Sequence, residues 1–278
     1  MKWLELRAKI RQLIKNPDSG FNGFDFNETL SLLIRERFIA RAAQSTFRNS
    51  IVLKGGLLLT MVYAKSTRYT GDADIGLKNV HNLADYQKAI DAITAVDLED
   101  GFSFSRNEGE ILTNSQREYD GAQFNIACRF SDGQHHRFIL DIGVGDAVEP
   151  IIGKLPTLED FAPTSVEMKV YPPETIAAEK WHAIVNIGSR NTRLKDFYDL
   201  FMLREHVDKK KFEEARKRTF KRRQTPLPEG LPVLPMDIMQ SRWELFLKSK
   251  QYRIIKEPPK DFKTAYEAIE KFYGAKKS

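Results

Sequence analysis

The chain has a single cysteine in 278 residues, so it can form no internal disulfide and cannot build a cysteine-rich zinc site. That residue, Cys128, ends the segment Phe124-Asn125-Ile126-Ala127-Cys128 and reads as a small buried strand residue. Histidine is scarce as well. Of the five, His135-His136 follow Asp132-Gly133, a spacing that suits a hairpin turn better than a metal cage. No stretch approaches the roughly 20 apolar residues that span a bilayer. The opening Met1-Lys2-Trp3-Leu4-Glu5 lacks the apolar core of a secretory signal. A cytoplasmic protein without a membrane partner is therefore expected. Internal repeats and low-complexity tracts are also missing.

What is present is an ordinary globular composition, with 41% apolar and 29% charged residues, enough to fill one large core or two modest ones. The formal net charge is +6 and the sequence pI is near 9.2, which favours a polyanionic partner. The basic residues are densest in Lys209-Lys210-Lys211, Arg216-Lys217-Arg218 and Lys221-Arg222-Arg223. That segment suits an RNA backbone, or is a solvated helix face.

Apolar periodicity predicts helices near the N-terminus, around Trp3–Ile14 and Leu30–Ile39, with Asp25 or Asn27 able to cap the second. The period then changes. Ile51-Val52-Leu53 is a strand-like run ended by Lys54-Gly55-Gly56, and a helix is expected from Leu57. Further strand-like runs lie at Asp72–Leu77, Phe102–Ser105, Gln123–Phe130 and Arg137–Val144, with a helix at Leu83–Val96. Beyond Pro172-Pro173 the pattern is helical, broken only by the proline-rich Thr225–Pro235. Trp181, Trp243, Phe246 and Tyr252 sit at helical spacing and are expected in the core. The expected fold is α/β (α+β): a helical segment over 1–48, a mixed sheet flanked by helices over 49–171, and a helical domain over 172–278.

Three aspartates stand out. Asp72 and Asp74 lie two apart in an extended segment, so their carboxylates share a side. Asp141 interrupts the apolar run Phe138–Val144, where a carboxylate is costly unless paired or metal-bound. Asp146 is its rival as a third ligand. Hard carboxylate oxygens are what Mg²⁺ prefers, and close carboxylates are what a two-metal phosphoryl-transfer site needs. The Gly55-Gly56 turn would let a backbone approach phosphate oxygens.

The ordered set Leu53-Lys54-Gly55-Gly56, Arg68-Tyr69-Thr70-Gly71-Asp72-Ala73-Asp74, Leu140-Asp141-Ile142, Glu174–Lys180 and Arg193–Leu200 resembles the AbiEii/MenT-type nucleotidyltransferase toxins. These belong to the polymerase-beta-like nucleotidyltransferase superfamily. The resemblance covers roughly residues 30 to 205. It implies the toxin of a bacterial toxin–antitoxin pair that moves nucleotides from an NTP to the 3′ acceptor end of tRNA, blocking charging and translation. It also implies that Asp72 and Asp74 bind metal and that Lys180 and Asp196 join the catalytic set. The residues themselves agree. Lys180 on a helix suits neutralisation of a β- or γ-phosphate, and Asp196 and Asp199 share the next helix's face, where one holds Lys180 or orients the acceptor hydroxyl. Arg193 and Lys195 either grip phosphates or pair with those aspartates.

The expected site is thus Asp72, Asp74 and Asp141 around two Mg²⁺ ions, with Lys54, Gly55, Gly56, Lys180, Arg193, Lys195 and Asp199 around the nucleotide and Asp196 among the catalytic groups. The expected partners are an NTP, the tRNA acceptor end and a cognate antitoxin, the protein itself being a monomer. Two other readings use the same residues: nucleotide transfer to a protein hydroxyl or a small molecule, and a non-catalytic RNA-binding module. Clustered carboxylates argue against the last, because they would repel RNA phosphate.

Overall fold

The computed structural model describes residues 2–17, 24–63, 70–80, 82–112, 121–144, 148–155, 166–249, 259 and 261–274. Asp146, Arg68, Tyr69 and Tyr252 lie outside the described residues, as does most of the loop after the first helix. The chain forms two compact units, Met1–Asp146 with Pro150–Val170, and Ala147–Glu149 with Tyr171–Ser278.

Among the described residues the first unit is a seven-stranded mixed sheet with helices. In chain order it runs α1 (Trp3–Lys15), α2 (Phe26–Gln44), β1 (Ile51–Lys54), α3 (Gly55–Leu58), a π-helical turn (Leu59–Tyr63), β2 (Ala73–Leu77) and α4 (Leu83–Thr94). It continues with β3 (Phe102–Leu112), β4 (Gly121–Phe130), β5 (His135–Val144), β6 (Ile151–Leu155) and β7 (Val166–Val170). The strand order is β3-β4-β5-β2-β1-β7-β6. The β2–β5 and β1–β7 pairs are parallel. The expected mixed sheet is present, extended by β6 and β7. Val166-Glu167-Met168-Lys169-Val170 alternates strictly, which is the signal that marks β7 as a strand.

Helix α2 holds this unit together. Asp25 caps it, accepting from the Glu28 amide at 2.8 Å while Glu28 reaches back to the Asp25 amide at 2.8 Å. Phe38 packs edge-on against Phe104 and Phe138 of the sheet. The helix is buried on nearly every side, and Arg35, Glu36, Arg37 and Arg41 are buried with it. Such charges are tolerable only when fully hydrogen-bonded. Arg41 is held in a fork by Asp100, at 3.0 and 2.6 Å, and donates to the Phe102 carbonyl at 2.7 Å. Arg37 pairs with Glu36, whose carboxyl is pushed up by burial against the pull of that arginine. Cys128 is buried as expected, and burial lifts its thiol to about 12.

The second unit is helical: α5 (Pro173–Ile187), a 3-10 turn (Gly188–Arg190), α6 (Leu194–Leu203), α7 (Lys209–Arg222), α8 (Met236–Lys248) and α9 (Phe262–Tyr273). Pro173 begins α5 at the position where its missing N–H costs nothing. Asp208 and Asp261 cap α7 and α9 through the Lys211 and Thr264 amides. Trp181 and Trp243 are fully buried. The proline-rich stretch is pinned to α9: Leu231 donates to Glu270 at 2.9 Å and Tyr266 donates to the Pro232 carbonyl at 3.0 Å. Arg223 donates to His182 Nδ1 at 2.8 Å, so the ring proton sits on Nε2, beside Thr225 Oγ1 at 2.9 Å. Burial and the adjacent Arg223 charge push the imidazole down to about 4. Among the described residues no helix is long and apolar enough to cross a membrane.

The buried Arg41–Asp100 fork is the vulnerable point of this arrangement, since removing one partner strands the other's charge. Asp100→Ala should lower stability by about 3–5 kcal/mol, read as a lowered urea midpoint with an unchanged slope.

Candidate active site

Strand register assembles the site in the first unit. Lys54 is the Cα partner of Asp74 across β1–β2. Asp74 is in turn the partner of Asp141 across β2–β5, and Asp141 that of Gln123 across β5–β4. Partners in register project to the same face, so four polar side chains form one row across four adjacent strands. Neighbouring strands lie about 4.8 Å apart, which places the two aspartates within reach of one ion. Gln123 Nε2 donates to Asp141 Oδ1 at 2.8 Å, fixing that carboxylate. Gln123 was not among the residues expected from sequence; only a known β4–β5 register points to it.

The row lies on the face opposite to Phe138, Leu140 and Ile142, which are buried. On the row's own face of β5, Ile139 is exposed and Asp141 is half-buried. The expectation of a carboxylate inside a core strand is corrected accordingly. β5 has one core face and one wet face, so Asp141 keeps part of its hydration.

Gly55 follows β1 directly and has φ +68°, a conformation that L side chains rarely adopt. A Cβ there would land inside the Asp74 carboxylate. The glycine therefore makes room for a carboxylate as well as a turn. The helix begins at Gly55 itself, two residues earlier than the pattern suggests. Asp72 sits one residue ahead of β2 and is exposed, so it is not on the ladder that aligns Asp74 with Asp141.

Among the described residues, no three acidic, histidine or cysteine side chains converge into a ready-made metal cage. A pair of register-aligned carboxylates nevertheless fits Mg²⁺. That ion is held by one or two carboxylates with water and substrate phosphates completing its shell.

In the second unit, α5 packs on α6 and brings Lys180 between two buried aspartates. Its Nζ is 3.0 Å from Asp196 Oδ1 and 2.6 Å from Asp199 Oδ2. Arg193 Nε is 2.7 Å from the other oxygen of Asp196. Asp196 and Asp199 are almost inaccessible, whereas Arg193 is partly exposed and Lys195 exposed. Both aspartates hold Lys180, and Arg193 joins one of them.

A family model for the nucleotidyl transferase AbiEii toxin of Type IV toxin–antitoxin systems matches residues 37–268. The chain belongs to the AbiEii nucleotidyltransferase toxin family. Membership gives nucleotidyl transfer as the reaction class, with a nucleotide substrate and an antitoxin as partner. Among solved structures, an antigenic nucleotidyltransferase-like protein from Paracoccidioides brasiliensis is similar at 12% identity and TM-score 0.44, over 70% of this chain and 89% of that one. The antibiotic-resistance factor ANT(2'')-Ia in solution is similar at 15% identity and TM-score 0.40, over 70% and 94% of the two chains. Its complex with adenylyl-2"-tobramycin matches at the same identity and score, over 70% and 99%. No curated protein matches.

In this AbiEii-family chain, Gly55→Ala combines a left-handed backbone with a clash at Asp74. It should cost about 1–3 kcal/mol for the backbone alone, measured by chemical denaturation. Transfer activity should fall further than the stability loss explains, because Asp74 must move.

Proposed function

We propose that this AbiEii-family toxin is a Mg²⁺-dependent enzyme that transfers a nucleotide from an NTP to the 3′ acceptor end of tRNA, preventing aminoacylation and so translation. One observation carries the reading: Lys54, Asp74, Asp141 and Gln123 stand in register on one face of the sheet. In the reaction an acceptor hydroxyl oxygen bonds to the α-phosphorus, the bond to pyrophosphate breaks, and the hydroxyl proton is lost.

Asp74 and Asp141 would hold the metal, with Asp72 as a further ligand at the entrance to β2. Bound Mg²⁺ supplies charge neutralisation at the entering and leaving oxygens. Gln123 keeps Asp141 turned toward the row. Gly55 lets Asp74 lie against the β1–α3 turn, and Gly56 and Lys54 flank that turn toward the triphosphate. Lys180, which Asp196 and Asp199 hold, is proposed on the strength of the family resemblance as a countercharge for the leaving phosphates. Arg193 and Lys195 are proposed to lend further positive charge.

The basic helix α7 supports RNA as the acceptor. Arg216 is used internally, paired with Glu213 at 2.7 Å, and Arg223 is engaged with His182. Lys209, Lys210, Lys211, Lys217, Arg218, Lys221 and Arg222 are exposed. On a helical projection Lys210, Lys217 and Lys221 fall on one stripe together with the exposed Glu214, and Lys211, Arg218 and Arg222 fall on the next. A broad cationic face of this kind matches a phosphate backbone and predicts salt-sensitive binding.

The test incubates the purified protein with each of four α-labelled NTPs and tRNA, with and without Mg²⁺. Label should enter tRNA from a preferred NTP only when Mg²⁺ is present. Asp74→Ala should give no label, should retain its unfolding midpoint within a few degrees, and should relieve growth arrest. Label found on protein alone would remove tRNA as the acceptor, and equal toxicity of Asp74→Ala would remove catalysis as its cause.

A further inference from the structure

Arg35 is a fully buried arginine in the middle of α2. Its guanidinium faces the chain immediately ahead of β2. Nη2 donates to the Thr70 carbonyl at 2.5 Å, and Nη1 donates to the Gly71 carbonyl at 3.0 Å and to Ser31 Oγ at 2.7 Å. Thr70 is itself buried. Gly71 and Asp72 are exposed. The two clamped carbonyls thus belong to the two residues preceding Asp72, and β2, which carries Asp74, starts one residue after it.

This clamp is stiff for a physical reason. Withdrawing the guanidinium would leave a buried cation without its acceptors and the Thr70 carbonyl without its donor, both unfavourable away from water. Arginine's rigid planar fork presents separate N–H groups to the two carbonyls at a fixed spacing, a geometry that the compact ammonium of lysine does not reproduce. The phase at which the chain enters β2 matters because side chains alternate: a slip of one residue would carry Asp74 to the core face. Asp72, outside the ladder, has no strand partner to place it.

We infer that Arg35 is a positioning residue for the metal site. By holding the Thr70 and Gly71 carbonyls it fixes the path of the chain that carries Asp72 and then Asp74 into β2, and it acts on divalent-cation binding rather than on nucleotide binding. The inference rests on the proposed metal role of these aspartates. Electrostatics gives it a distinguishing sign. Removing a positive charge near a cation site strengthens cation binding by Coulomb's law, whereas loss of positioning weakens it.

The experiment compares wild type, Arg35→Met, Arg35→Lys and Asp74→Ala as full chains. Mn²⁺ binding is followed by the EPR signal of the free ion, folding by urea denaturation, and transfer rate against Mg²⁺ and against NTP. Arg35→Met should bind Mn²⁺ about tenfold or more weakly, the size of effect that loss of support outside the ligand set has on a metal site, and Arg35→Lys should fall between it and wild type. The Mg²⁺ needed for half-maximal transfer should rise in parallel while KM for NTP stays within about twofold. Unchanged or tighter Mn²⁺ binding in a folded Arg35 variant overturns the inference. If Arg35→Met does not fold, the same readout on Arg35→Lys decides. Asp74→Ala binding Mn²⁺ as tightly as wild type would instead overturn the metal reading itself, a separate result.

Discussion

The pairing of β2 with β5 is the constraint on which the rest of the site depends. Parallel neighbours cannot be joined by a tight hairpin, and here α4, β3 and β4 intervene between them. The two aspartates are thus brought together from 67 residues apart in sequence by a ladder that runs from Ala73↔Leu140 to Leu77↔Val144. The antiparallel partners β1 and β4 then add Lys54 and Gln123 to either side. A slip in any of these registers would disperse the row, because each shift of one residue exchanges the faces.

What keeps that register is a core with an unusual share of charge. Helix α2 contributes Leu30, Leu33, Ile34, Phe38 and Ile39 to the apolar interior, yet the same helix buries three arginines. The Arg41–Asp100 fork ties the helix to the start of β3, through the Phe102 carbonyl. Arg35 ties it to the start of β2. Apolar contacts set the distance between helix and sheet, and directional guanidinium bonds set their alignment along the strands, which is the coordinate that matters to the aspartates.

Much of this was legible in the residues. Asp72-Ala73-Asp74 and Asp141 stand out because carboxylates interrupt apolar, extended segments, and Lys54-Gly55-Gly56 stands out because glycine pairs mark a turn. Helix boundaries followed from caps and prolines, as at Asp25 and Pro173. Three things were not legible. Gln123 acquires its place only from the β4–β5 register, a long-range property with no local signature. Arg35, Arg37 and Arg41 look like solvent-facing residues of an amphipathic helix, because nothing in the local sequence says that the helix is buried on nearly every side. The clash that makes Gly55 obligatory comes from Asp74, 19 positions away, so the glycine is recognisable as a turn but not as the seat of a carboxylate. The Lys180–Asp196–Asp199 cluster is the intermediate case: helical spacing puts the aspartates on one face, and the packing of α5 on α6 supplies the lysine.

The central claim is that Asp74 and Asp141 share a divalent cation. The most direct measurement is a crystal structure of the protein with Mn²⁺ and a non-hydrolysable NTP, with diffraction collected at the manganese edge. The account predicts an anomalous peak within coordination distance, about 2.0–2.3 Å, of both carboxylates. A peak bound elsewhere, with Asp141 engaged only by Gln123 and Asp74 turned away, would contradict it.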